Sequence, residues 1–185
     1  MTRLQLMTIH ALLAAFIFPV ASMFMITGAL YTWGIKGSYQ DETYEVRLAK
    51  EISPELNELI GLAESEIKKL GLSNPSGKAK IKHYGNHFML EWTGSSKDVT
   101  LEPTDKKLTA RLTVKHTSWY RNLVQLHKAK GGTAFKVYAA VLAIAIGLLL
   151  ISGLFIAWQT PKLKQLTLIT FFVGIGSFMV FLWLS

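Results

Sequence analysis

Three charge-free apolar runs divide this chain, and a polar stretch with short-period alternation fills the interval between the first and second. Residues 11–33 read ALLAAFIFPVASMFMITGALYTW, residues 137–158 read VYAAVLAIAIGLLLISGLFIAW, and residues 165–185 read QLTLITFFVGIGSFMVFLWLS. Each reaches the roughly 20 residues that a helix needs to cross a ~30 Å hydrocarbon layer. A spanning strand would need only about 10 residues and would alternate polar with apolar positions. The first run is longer than the apolar core of a signal peptide, about 7–15 residues, and no small-residue cleavage site follows it, so it is read as a retained anchor.

The intervening stretch carries other periods. Tyr44, Val46 and Leu48 alternate as in a strand. Ser53-Pro54 then reads as an N-cap with proline at the first helical position. Leu56, Leu59, Ile60, Ala63, Ile67 and Leu70 recur at three- and four-residue spacing, as in an amphipathic helix that stops at Gly71. Lys78–Tyr84 and His87–Trp92 flank Gly85-Asn86, a two-residue hairpin turn. Val99 and Leu101 mark a third strand, and Leu108, Ala110, Leu112 and Val114 a fourth. Trp119 to Lys130 reads as a short amphipathic helix, with Gly131-Gly132 as a joint.

The predicted architecture is therefore three transmembrane α-helices plus a small α+β external domain, a helix on an antiparallel meander. A cytoplasmic N-terminus covers 1–10 and helices cover 11–33, 135–158 and 165–185. The external domain covers 34–118, the juxtamembrane helix and joint 119–134, and a cytoplasmic loop 159–164.

Charge orients this layout. All 12 acidic residues lie between Asp41 and Asp105, and all but three of the 20 basic residues fall within 34–136. The three exceptions, Arg3, Lys162 and Lys164, sit on short segments, and short basic segments stay in the cytoplasm. The N-terminus is then cytoplasmic, and the domain and C-terminus are external, which is the periplasm for a bacterial inner membrane. Trp33, Trp158 and Trp183 stand at helix ends, where the lipid interface favours them. The lipid bilayer is thus the first partner. The domain's surplus of basic charge faces solvent or anionic headgroups, and nucleic acid is not a partner on that side. The absence of cysteine excludes disulfides and thiolate chemistry.

Two helix ends repeat a motif. Helix one contains Ile26-Thr27-Gly28 with Trp33 five residues on, and helix two contains Ile151-Ser152-Gly153 with Trp158 five residues on. Small residues let helices approach closely and a hydroxyl can bond across, so Thr27, Gly28, Ser152 and Gly153 are expected at helix contacts.

Together with His10 at the start of helix one, Leu126-His127-x-x-x-Gly-Gly before helix two, and the helix-plus-meander domain, these motifs make residues 8–158 resemble the PepSY-associated transmembrane (PepSY-TM) family. The chain is similar to a short, three-helix member. The resemblance implies an accessory or binding module for a partner protein or ligand on the periplasmic side. It also implies an alternative, a haem b electron-transfer subunit linked to iron–siderophore reduction, with His127 and His10 as axial ligands.

The predicted topology puts these two histidines on opposite sides of a ~30 Å layer, so they cannot share an iron. A haem would need a methionine such as Met23 or Met25, a single-ligand site, or a homodimer that brings together two copies of His10 near the cytoplasm or, the favoured case, two copies of His127 near the external surface, with Trp119 and Tyr120 as walls. Of the other histidines, His116 would return to the face of His127 on a common helix, about 16 Å away. With a two-residue turn, His83 and His87 fall on opposite faces of the hairpin. No zinc-protease, phosphate-loop, nucleophile-elbow or dinucleotide motif occurs, so no catalytic residue is assigned and no metal site is expected. No apolar run carries a charge, which argues against an ion-coupled transporter.

Overall fold

The structure is a computed structural model and describes residues 2–85 and 87–185. The chain divides into two compact units, residues 23–138 and residues 1–22 with 139–185.

The first unit holds a five-stranded antiparallel sheet in the order β1-β5-β4-β3-β2. Its strands are β1 (Tyr39–Arg47), β2 (Ala79–Tyr84), β3 (His87–Thr93), β4 (Lys97–Pro103) and β5 (Thr109–Thr117). Strands β2 to β5 form the meander, and β1 closes the far edge by pairing along β5, with Val46 opposite Ala110. Helix α2 (Leu56–Lys69) buries Leu59, Ala63 and Ile67 against one sheet face. The face beneath it presents Val46, Leu90, Trp92, Val99, Leu101, Ala110, Leu112 and Val114. Each aliphatic side chain fully buried there contributes about 1.5–3 kcal/mol, which is what drives this small domain to fold. The opposite face is polar, with Lys80 and Lys82 bonded to Glu91, Arg111 to Glu102 and Lys115 to Asp41.

Several local expectations shift. Helix α2 begins at Leu56 with Glu55 in the N-cap position, not Ser53. Ser53 Oγ instead donates to Glu58 Oε2 at 3.1 Å, and Lys50 holds the same carboxylate at 2.7 Å. The helix end is as the glycine indicates. Gly71 takes φ +70°, its N–H bonds Lys68 O, and Leu72 N–H bonds Ile67 O, a closure that left-handed glycine permits. The hairpin pairs His83 with Phe88 and Tyr84 with His87, so the two histidines face opposite sides. Asn86, half of the expected turn, lies outside the described residues. His116 belongs to β5, not to a helix shared with His127.

Helix α3 (Trp119–His127) follows β5, with Ser118 Oγ accepting from Arg121 N–H at its start. It ends earlier than Lys130 because Ala129 turns left-handed, φ 56°. Lys130 N–H then bonds Gln125 O, and Ala129 N–H bonds Leu126 O.

Three helices are long and apolar enough to cross a membrane: α1 (Arg3–Thr32), α4 (Thr133–Trp158) and α5 (Pro161–Leu184). Parts of α1 and α4, with all of α5, make up the second unit. Helix α5 starts at Pro161, where the fixed φ of proline suits a first helical turn, so only Gln159 and Thr160 separate it from α4. It buries no residue. A helix apolar on every side has lipid or another protein as its natural surroundings.

Candidate functional site

Both candidate histidines meet the repeated motif. In one unit, His10 Nδ1 lies 2.9 Å from Ser152 Oγ. In the other, His127 Nδ1 lies 3.0 Å from Thr27 Oγ1. The glycine beside each hydroxyl makes room for the ring. A Cβ at Gly28 would stand 3.1 Å from His127 Cε1, and one at Gly153 would stand 3.4 Å from His10 Cε1. The expected close approach at these glycines is thus to an imidazole rather than to a neighbouring helix backbone.

Each hydroxyl also reaches a backbone carbonyl of its own helix. Thr27 Oγ1 donates to Met23 O at 2.6 Å, and Ser152 Oγ donates to Leu149 O at 3.0 Å. With the hydroxyl proton on its own helix, the oxygen has lone pairs to offer the imidazole. In the tautomer with hydrogen on Nδ1, the ring donates to that oxygen and Nε2 carries the lone pair.

His127 closes α3 and remains open on its other side. Phe24 lies beside it, ring centroids 5.1 Å apart. A groove of about 370 Å³ lies alongside, lined by Thr27, Gly28, Tyr31, Thr32, Val124, His127 and Lys128. Trp119 and Tyr120 are not among these residues. Tyr120 donates its hydroxyl to Ile35 O, and Trp119 is exposed. Met23 Sδ contacts Thr27 Oγ1 at 3.9 Å. Met25 is exposed. Among the described residues no group of three or more histidine, aspartate or glutamate side chains could hold a metal ion.

A second cluster, not anticipated from the sequence, fixes α3 to the sheet. Asp98 is 8% exposed and Gln125 is fully buried. Asp98 accepts from the Tyr39 hydroxyl at 2.8 Å, from Gln125 Nε2 at 3.2 Å and from Gly94 N–H at 3.0 Å. The Tyr39 hydroxyl in turn accepts from Arg121 Nη2 and Gln125 Nε2, both at 2.9 Å. A phenol has one proton and two lone pairs, so its capacity is filled. Burial raises the Tyr39 pKa, with the bond to Arg121 opposing. Burial also lowers the pKa of Lys130, although its ammonium lies 3.7 Å from Asp98 Oδ2. Gly37 completes the contact. At φ +74°, its missing Cβ would lie 2.8 Å from Arg121 N, so only glycine lets this loop press on the first turn of α3. The sole sequence signal was a pair of polar residues, Arg121 and Gln125, four apart on a short helix.

No family model matches the chain, and neither do curated proteins or solved structures.

Proposed function

We propose that the chain is a multi-pass protein of the bacterial inner membrane whose sheet domain, PepSY-like and periplasmic, is an accessory module for a partner protein or ligand. The observation that carries this reading is the double anchorage of α3. One side of this helix enters the sheet through Gln125 and Asp98, and its last residue grips α1 through His127 and Thr27. A domain on a loose tether needs neither contact, whereas a domain that relays occupancy to membrane helices needs both. The edge strand β2 suits addition of a partner's strand. The orientation rests on Arg3, Lys162 and Lys164 and the positive-inside rule.

One observation favours the alternative, a haem b electron-transfer subunit. Ligating histidines characteristically donate one ring N–H to an outer partner while the other nitrogen binds the metal, and a hydroxyl stands within hydrogen-bond reach of Nδ1 in both His10 and His127. Each site would offer a single imidazole to a haem iron and no more, and of the two histidines His127 is the one that lines a groove. A homodimer would supply the second, and the bound group would supply one-electron transfer. The two readings part on the absorption spectrum of the full chain purified from cells supplied with haem. A folded, colourless protein supports the module. A Soret band that shifts on dithionite reduction and disappears in His127→Ala supports the haem subunit and displaces the first reading.

A further inference from the structure

We infer that the turn between α4 and α5 is a binding site for an anionic glycerophospholipid. An apolar cavity of about 160 Å³ lies between these helices, lined by Leu154, Trp158, Lys164, Thr167, Leu168 and Phe171. Its walls are hydrocarbon and aromatic except at one end, where the Lys164 ammonium stands 5.6 Å from the centre of the Trp158 ring. Lys162 is two residues away. Arg3 reaches the same turn, its Nη2 donating to Thr160 Oγ1 at 2.8 Å. That hydroxyl donates to Ile156 O, so it receives the guanidinium rather than competing with it for an anion.

Three cations thus converge on one turn, and the whole unit, residues 1–22 and 139–185, contains no aspartate or glutamate. Their counter-charge must come from outside the unit. The surroundings are apolar on one side and polar on the other, and a soluble anion would leave the adjoining cavity unfilled. An anionic lipid satisfies both halves, with an acyl chain along Leu154, Leu168 and Phe171 and a headgroup phosphate at Lys164, while Lys162, two residues away and so on the other side of α5, adds charge to the turn. Basic pockets between membrane helices characteristically recognise such headgroups.

The proposal rests on the chain residing in a bilayer, which the need for detergent to extract it checks separately. The test is native mass spectrometry of the full chain in detergent, titrated with phosphatidylglycerol or with phosphatidylcholine of the same acyl chains. One phosphatidylglycerol per chain should be retained in preference. Each lysine should be worth about fivefold in affinity, so Lys162→Ala with Lys164→Ala should lose about thirtyfold while the paired arginine variants keep the preference. Leu168→Trp, which fills the cavity, should weaken retention of both lipids at unchanged circular dichroism. Equal retention of the two lipids, or a preference that survives loss of both lysines, would overturn the proposal and leave these cations to topology alone.

Discussion

Asp98→Asn tests the junction between sheet and α3 with the smallest possible change of shape. The carboxylate accepts on both oxygens: Gly94 N–H on Oδ1, and the Tyr39 hydroxyl with Gln125 Nε2 on Oδ2. A carboxamide has one oxygen. Turned toward Gly94, it sets its NH2 against Gln125 Nε2, donor against donor. Turned toward Gln125, it abandons the Gly94 amide. Either way a buried donor is orphaned, at about 1–3 kcal/mol, and the surviving bonds fall from the charge-assisted range of about 1.5–3 kcal/mol to the neutral range of about 0.5–1.5 kcal/mol. A total loss of about 2–4 kcal/mol follows, a large share of the roughly 5–15 kcal/mol that holds a domain folded. Urea unfolding of the full chain in mild detergent, followed by strand circular dichroism, measures the loss. Hydrogen exchange at Gly94 locates it. In a double-mutant cycle with Gln125→Leu the two costs should fall short of additivity by about 1 kcal/mol or more, because both remove the same bond. A loss under about 0.5 kcal/mol with Gly94 still protected would mean that the network does not hold α3, and the relay reading would fall with it.

Other variants probe neighbouring features. Gly28→Ala places a methyl 3.1 Å from His127 Cε1 and should loosen the bond to Thr27, worth about 1 kcal/mol, whereas Gly153→Ala meets His10 at 3.4 Å and should be tolerated. Gly153→Leu should lower the melting temperature in detergent by driving its outer carbons into His10, and an unchanged value would remove the glycine's packing role. Ala129→Gly should raise the melting temperature slightly, since relief of a left-handed alanine, about 1–2 kcal/mol, outweighs the roughly 0.4–1 kcal/mol of added freedom in the unfolded chain. Burial pushes the Glu91 carboxyl up, but Lys82 and Lys80 outweigh it and leave its pKa below the ordinary 4.5. Its contribution is then present above pH 4.5 and lost as pH falls through the folded value, so Glu91→Gln should lower the melting temperature at neutral pH and flatten the melting curve's acid limb. Alkaline phosphatase fused after Ser185 should be active and at Pro161 inactive, and the reverse pattern would invert the proposed topology.

The sequence made most elements legible because their periods are strong. The three apolar runs, the α2 stripe and the alternation of β5 each express burial directly. Boundaries were less legible where side chains outside the period decide them. Ser53 lost the N-cap position because Glu58 recruits it together with Lys50, and α3 stops short because Ala129 adopts a conformation that composition does not advertise. Asp98 and Gln125 were illegible for another reason. A buried polar residue looks like a surface residue until its partners are known, and here the partners lie 27 residues apart in sequence. The partner of His127 was equally hidden, since it is a hydroxyl one hundred residues away.

The two motif copies gain their meaning from how they are partnered. Each half of the chain carries a histidine followed later by a hydroxyl–glycine pair: His10 with Thr27-Gly28, then His127 with Ser152-Gly153. The structure pairs them crosswise, His10 with Ser152 and His127 with Thr27. Had each histidine served its own half, the halves could move independently and the repeat would record only a shared ancestry of helix ends. Each half supplies the hydroxyl that meets the other's imidazole, so the ring at either site is held from a distant part of the chain. A hydroxyl that merely capped its own helix would need no imidazole, since its proton is already spent on a backbone carbonyl. What the crossed pairing adds is a hydroxyl at Nδ1 of each imidazole, twice. That is the feature a ligand or cofactor can use, and it makes His127, the more open of the two, the position where occupancy of the groove could be felt by both α1 and the sheet.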